Sequence, residues 1–328
     1  MVGKLAARVG RWHNLRCCFV LALGRRWCGI GFSHSGRQCR PALRHNAAMP
    51  DTTLAPHDIE SLERATLDAV CPAAQSELPG WLLPFDAADI GRAHSAIPLL
   101  HHGLDIAGLP AIEQQYRDYG LPPCFRIADT PGLRHWQERL QALGYRKADP
   151  VYVQTASLEA MQAAADLSTA APRLGSASLR PKIMLLDAPA GAWASVYTAL
   201  GFDAADGALR VQLLSRSRFA RYAYVQSAGV SLAAGTACIS RDWLSVHGMR
   251  TLPHARGQGL GASLLSTFVG LARQRGIARA FLQVEADNAP ALALYRRFGF
   301  TTAWTYHYWK APDTKPKTRP QAPSPHRP

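Results

Sequence analysis

A mixed α/β fold is what this sequence predicts, and three observations carry the prediction. Apolar runs with strand character alternate with amphipathic helical stretches from about residue 58 to residue 310. The run Arg-Gly-Gln-Gly-Leu-Gly over 256–261 joins one such strand to a long amphipathic helix. The order helix, strand, helix, Gly-aromatic, strand occurs twice, around Gly144 and Tyr145 and again around Gly299 and Phe300.

Taken in order, residues 58–74 are expected to be helical, with Ile59, Leu62, Ala65, Leu67 and Val70 at roughly helical spacing. Residues 80–85 and 93–100 read as strands, 109–119 as a helix, 124–128 as a strand and 133–143 as a helix. After Gly144 and Tyr145, a strand over 151–155 closes this half. The second half begins near Arg180 with a strand over 182–186 and helices over 193–200 and 205–214. Residues 221–225 and 230–234 form a hairpin around Ala228 and Gly229, and 243–252 is a central strand. Leu260, Leu264, Leu265, Phe268, Leu271 and Ala272 make the apolar stripe of the helix behind the Gly-rich run. Residues 280–285 read as a strand with Phe281 and Leu282 at its apolar centre. Asp287 and Asn288 then offer an N-cap, Pro290 suits a first helical turn, Gly299 stops the helix and 303–309 is an aromatic strand.

Length and charge narrow the class. At 328 residues the chain exceeds one usual domain and fits two. Of the formal net charge of +14, nine positive charges lie in residues 1–48, which hold no acid, and a net three lie beyond Lys310. That leaves +2 for residues 49–310, so a general nucleic-acid-binding face is not expected. The seven cysteines show no Cys-x-x-Cys or Cys/His ligand spacing, and we expect no metal and no disulfide framework, hence reduced thiols and a cytoplasmic chain. The apolar run over 17–23 is far shorter than the ~20 residues a membrane helix needs, and no membrane partner is expected. Three readings stay open for residues 1–48: a signal peptide, a transit peptide, or an extension upstream of a native start at Met49, which we prefer. The expected division is 1–48 outside the fold, 49–156 and 175–310 as two domains, and a Pro-rich disordered tail over 311–328.

The chemistry begins at the Gly-rich run. Glycines let the backbone approach an anion closely, and the unpaired N–H groups of the following helix favour negative charge, so 256–261 is a phosphate site in outline. No Gly-Lys-Ser/Thr follows, which excludes a Walker loop, and the dinucleotide pattern Gly-x-Gly-x-x-Gly is absent. Arg256, Gly259 and Gly261 fit the Arg/Gln-x-x-Gly-x-Gly/Ala acyl-CoA loop of the GNAT superfamily of N-acetyltransferases. Asn288, Ala291, Leu294, Tyr295, Gly299 and Phe300 fit that superfamily's Asn-x-x-Ala-x-x-Leu-Tyr-x-x-x-Gly-Phe element. The chain therefore resembles a GNAT protein, well over 180–310 and weakly over 58–155. The N-terminal half looks like a degenerate copy, with Leu140 where Tyr295 stands and no Gly-rich loop.

The resemblance implies a GNAT fold and an acetyl-CoA-dependent N-acetyltransferase acting on a primary amine, either a small molecule or a protein amine, by direct attack in a ternary complex. It implies that Met249, Arg250 and Thr251 pair their backbone with pantetheine, and that Arg256, Gly257, Gln258, Gly259, Leu260, Gly261 and Ala262 surround the pyrophosphate. Asn288 would cap its helix and touch the pantetheine, and Tyr295 would protonate the departing thiolate. For the base, Glu285, His247 and a water chain remain open. Tyr306, His307 and Tyr308 are either acceptor-site residues or core. A catalytically silent acyl-CoA-binding or interaction module is the alternative, and the protein is expected to be a monomer or homodimer.

Overall fold

The computed structural model describes residues 54–88, 90–170 and 181–312, with side chains through 167 in the middle stretch. The proposed extension over 1–48 and most of the tail therefore lie outside the described residues. In the first half, helix α1 (Pro56–Val70) leads to strands β1 (Ala74–Leu78), β2 (Trp81–Phe85) and β3 (Ile97–Pro98). Then follow α2 (Leu109–Asp118), β4 (Cys124–Ala128), α3 (Arg134–Ala142), β5 (Arg146–Ser157) and α4 (Leu158–Ala170). In the second half, β6 (Lys182–Leu186) precedes α5 (Gly191–Ala194), α6 (Ala204–Leu214), β7 (Ala220–Ser227), β8 (Val230–Ser240) and β9 (Trp243–Thr251). The chain then runs through α7 (Leu260–Gln274), β10 (Arg279–Glu285), α8 (Ala289–Arg297) and β11 (Thr301–Lys310).

The two halves are built on one mixed sheet of eight strands in the order β4-β11-β5-β10-β9-β8-β7-β6. They exchange their last strands. β5, which ends the first half, pairs antiparallel with β10 (Ala156 opposite Ala280), and β11, which ends the second, pairs antiparallel with β4 (Ile127 opposite His307). The exchanged strands also pair with each other, with Val151 opposite Tyr306. The internal likeness read from the Gly-aromatic steps thus corresponds to two halves whose closing strands lie side by side in one sheet. Two large cores result: one gathers Trp193, Tyr222, Leu264 and Phe268, and the other gathers Trp81, Phe125 and Trp136 with Trp304 and Trp309 of β11. Burying a large aromatic side chain stabilises by roughly 1.5–3 kcal/mol, so the exchange is anchored by the tryptophans of β11. The described residues fall in one compact unit, 51–328.

Most expected elements are present; three are shorter than expected, and two, β1 and α4, are additional. α1 stops at Val70 because Cys71 turns left-handed (φ 43°) ahead of Pro72, which disfavours further helix. The polar segment beyond it is β1, a strand with alternating half-buried and exposed residues that the apolar pattern did not show. The strand expected over 93–100 shrinks to Ile97–Pro98, since Gly91–Ala93 forms a 3-10 turn whose Gly91 carbonyl accepts from Ser95 Oγ at 2.6 Å. The helix expected over 193–200 is one turn, because the Tyr197 hydroxyl instead reaches β9 and donates to Gly248 O at 2.7 Å. α4, packed beside Gly299, was not expected at all. The hairpin turn has Ala228 at φ 47° and Gly229 at φ 80°, both left-handed, as the twist of a tight hairpin requires.

Candidate active site

The parallel pairing of β9 with β10 runs from Trp243 opposite Arg279 to Val246 opposite Leu282 and ends there, although β9 continues to Thr251 and β10 to Glu285. β10 stays paired with β5 to Glu285, opposite Val151, and β9 with β8 to Thr251, opposite Ala233, so the two strands splay from each other beyond this point. A local feature of β9 accompanies the splay. Between the pairs Ala234–Arg250 and Thr236–His247, β9 carries one extra residue, a bulge centred on Gly248 at φ 60°. A side chain there would collide with Leu214 and the Tyr197 hydroxyl, at 2.7 and 2.9 Å from an added Cβ. The bulge opens a wedge whose backbone groups over 247–251 have no partner on β10. A glycine inside a strand pattern is the sequence signal that would have found it.

A cleft of about 950 Å³ occupies the wedge. His247, Met249, Arg250, Thr251, Arg256, Gly257, Gly259, Leu260, Gly261, Ala262, Glu285, Asn288 and Tyr295 all line it. Gln258 does not; it is exposed, with Nε2 donating to His254 O at 3.4 Å. The Arg250 side chain is engaged elsewhere, donating to Tyr197 O at 2.9 Å and to Asp206 at 3.2 Å, so it is the backbone of Arg250 that is left toward the wedge. At the loop, Gly257 and Gly259 are left-handed (φ 75° and 76°) with open space where a Cβ would stand. No side chain caps α7, whose first N–H groups face this opening. Residues of this kind fit a diphosphate.

Asn288 caps α8 as expected, its side chain accepting from Ala291 N at 3.3 Å. Tyr295 on α8 is 7% exposed and meets the Phe300 ring edge at 5.9 Å. Burial pushes its phenol up to about 12, with the Arg92 charge acting in the opposite sense, so the proton is retained at neutral pH. Glu285 is exposed at the cleft rim.

His247 is 3% exposed, and neither ring nitrogen has a hydrogen-bond partner among the described residues. Burial, aided by the Arg92 charge, lowers its pKa from 6.5 to about 3. It therefore stays neutral and is a weaker proton acceptor than the unperturbed value implied. The sign for stability follows. Below pH 6.5 the unfolded chain takes up a proton that the folded chain refuses, so stability is lost as pH falls toward 3. The slope is at most ~1.4 kcal/mol per pH unit. His247→Gln is expected to flatten that loss between pH 6 and pH 4, measured by denaturant unfolding at each pH. Equal slopes in the two proteins would show that His247 is not held neutral by the fold.

The structure adds residues that sequence reasoning passed over: Ile90, Gly91 and Arg92 bring the first half into the cleft wall, and Gln283 and Lys310 join them. Of the aromatic residues of the last strand, Tyr306 and Tyr308 line the cleft. His307 faces elsewhere, with Nδ1 2.8 Å from Ala148 O. The buried Arg126, ion-paired with Glu63, donates to Gln283 Oε1 at 3.0 Å, and the same oxygen accepts from the Tyr306 hydroxyl at 2.9 Å. Tyr306 thus spends its only hydroxyl proton on Gln283, and the Tyr306–Tyr308 contact of 3.2 Å must be a donation from Tyr308. The Tyr308 oxygen is left with acceptor capacity. Among the described residues, no group of three or more His, Cys, Asp or Glu is placed to hold a metal, and no helix is long and apolar enough to cross a membrane.

Residues 56–309 match the family described as "Probable histone acetyltransferase Rv0428c C-terminal". The chain is 49% identical over 53 residues to a mycothiol acetyltransferase of Saccharomonospora viridis, covering 16% of this chain and 17% of that one. The chain therefore spans about a sixth of the length of that curated relative. In fold it is similar to a GCN5-related N-acetyltransferase from Kribbella flavida (TM-score 0.54, 18% identity, 78% of this chain and 96% of that one). It is also similar to a tandem GNAT protein from the clavulanic acid biosynthesis pathway (TM-score 0.51, 15% identity, 80% of this chain and 98% of that one).

Proposed function

The chain belongs to the family described as probable histone acetyltransferase Rv0428c C-terminal, within the GNAT superfamily of N-acetyltransferases, and from that membership we propose that it moves the acetyl group of acetyl-CoA to a primary amine. The observation that carries the reading is the convergence, in one cleft, of the β9–β10 wedge, the uncapped N-terminus of α7 and the buried phenol of Tyr295. Acetyl-CoA supplies the acetyl group as an activated thioester. The backbone of Met249, Arg250 and Thr251, which has no partner on the β10 side, holds the pantetheine as an added strand, and one of these N–H groups faces the thioester oxygen. The N–H groups of Gly257 to Ala262 hold the pyrophosphate, with Arg256 beside them. Asn288 touches the pantetheine while it caps α8.

The amine attacks directly in a ternary complex: the N–C bond forms, the C–S bond breaks, and Tyr295 gives its proton to the departing thiolate. The surplus proton on nitrogen leaves toward Glu285 or water. We place the base there because His247, held neutral by burial, is better suited to hydrogen bonding than to taking a proton. The acceptor is either a protein amine, as the family's description has it for its own member, or a small amine.

The test is a panel of small amines and basic peptides with acetyl-CoA, following free thiol. Amine-dependent thiol release well above hydrolysis is expected for at least one class. Binding of acetyl-CoA with no amine-dependent release from any member would identify a silent acyl-CoA-binding module instead.

A further inference from the structure

The proposed chemistry leaves a half-buried charged group of the cleft wall without a task. Arg92 lies in the 3-10 turn Gly91–Ala93 of the first half, is half-buried, and has no ion pair among the described residues. Its Nε is shielded from solvent and has no hydrogen-bond partner. The turn is held rigidly against β11, since the space where a Gly91 Cβ would stand lies 2.5 Å from the Tyr308 ring. The Arg92 charge acts on His247, Tyr295 and Tyr308, none of which belongs to the phosphate loop. Arg92 therefore stands at the end of the cleft where the wedge, Tyr295 and β11 meet, which is where an acceptor must approach.

Other cations of the cleft are accounted for differently. Arg210 and Arg250 both pair with Asp206, and Arg256 belongs to the phosphate loop. Arg297 and Lys310, which also line the cleft, are exposed to solvent and need no counter-ion. Glu285 is the only carboxylate lining the cleft among the described residues. A half-buried guanidinium with no protein counter-ion is costly unless a ligand supplies the negative charge. Beside it stands His247, more than nine-tenths buried, lining the cleft with both ring nitrogens unpartnered, so a neutral N–H is also on offer. Tyr308 adds an oxygen able to accept from an N–H.

We propose that Arg92, assisted by His247, binds a carboxylate carried by the amine acceptor, so that the preferred acceptors are amines of the amino-acid type bearing a free acid group. The proposal rests on the acetyl-transfer reading above and narrows its acceptor. The guanidinium takes the carboxylate in forked geometry, while the amine lies toward Tyr308 and Glu285. Specificity thus comes from the half of the chain that lacks the acyl-CoA motifs.

Amino acids and their carboxamides form matched acceptor pairs, compared by kcat/KM from thiol release. Wild type is expected to prefer the carboxylate member by about ten- to hundredfold, the worth of a charge-assisted hydrogen bond. In Arg92→Met the ratio should fall to about one through a raised KM for the carboxylate member, and in Arg92→Glu it should invert. Melting temperature and acetyl-CoA affinity, measured on both variants, exclude misfolding as the cause. A wild type without preference, or a ratio unchanged in Arg92→Met, would overturn the proposal. So would an equal slowing of both acceptors, which would assign Arg92 to the thioester. Should no amine be acetylated, the acetyl-transfer reading fails separately. Calorimetric binding of the same pairs to the acetyl-CoA-loaded protein then decides: carboxylate-selective binding lost in Arg92→Met supports the proposal, and its absence in wild type overturns it.

Discussion

Aspartate at Gly259 or Gly261 is expected to abolish acetyl-CoA binding. At Gly259 the added carboxylate would occupy open space in front of the α7 N-terminus, where a diphosphate would sit against uncapped N–H groups. At Gly261 an added Cβ would also press on Leu294 Cδ2, 2.9 Å away, from the α8 side of the cleft. Losing two or three charge-assisted hydrogen bonds and gaining a repulsion should weaken binding by at least about a hundredfold, or ~2.8 kcal/mol. Strain must be separated from charge, because Gly259 is left-handed at φ 76°. Gly259→Asn provides that control: asparagine tolerates the left-handed region about as well as aspartate but carries no charge. Calorimetry should show Gly259→Asn retaining most of the affinity that Gly259→Asp loses. Wild-type affinity in both aspartate variants would remove the loop from the binding site.

Tyr295→Phe should lower turnover by about a hundredfold while leaving acetyl-CoA affinity nearly intact, in keeping with the 10²–10⁴-fold typical of a general acid. The substitution keeps the ring and its edge contact with Phe300 and removes only the hydroxyl. Burial raises that phenol to about 12, so it holds its proton until the departing thiolate needs one. The defect should shrink with an acyl donor whose thiol leaves more easily. A change of less than about threefold would make Tyr295 a packing residue, with water protonating the thiolate. Lower affinity with turnover preserved at saturation would make it a binding residue.

The parts of the site that sequence reading reached are those built from neighbours in the chain. The Asn288 cap, the Gly299 stop and the Gly-rich entry to α7 involve residues within a few positions of one another, and all three stand where the motif spacing put them. The tandem layout was legible for a similar reason, since each Gly-aromatic step is a local signal. Less was legible where chain direction alone had to decide. That the Arg250 side chain turns to Tyr197 and Asp206 could not be read from the chain, since those partners lie 53 and 44 positions away. His247 had an ordinary histidine's proton affinity until burial lowered it to about 3.

By itself, then, the sequence determined most of the elements in their order, the Gly-rich entry to α7 and the helix that carries Tyr295, because short-range hydrogen bonding and backbone conformation are written in adjacent residues. Which strands would pair was a matter for the tertiary structure. Hydrophobic periodicity says which face of a strand is buried but not which neighbour it will find, and here β5 and β11 each crossed to the other half. That exchange set Tyr306 and Tyr308 at the cleft, with Gly91 packed against Tyr308 and Arg92 beside it in the cleft wall, both from the first half of the chain. This end of the cleft is built where the packing of both cores buries the two exchanged strands together.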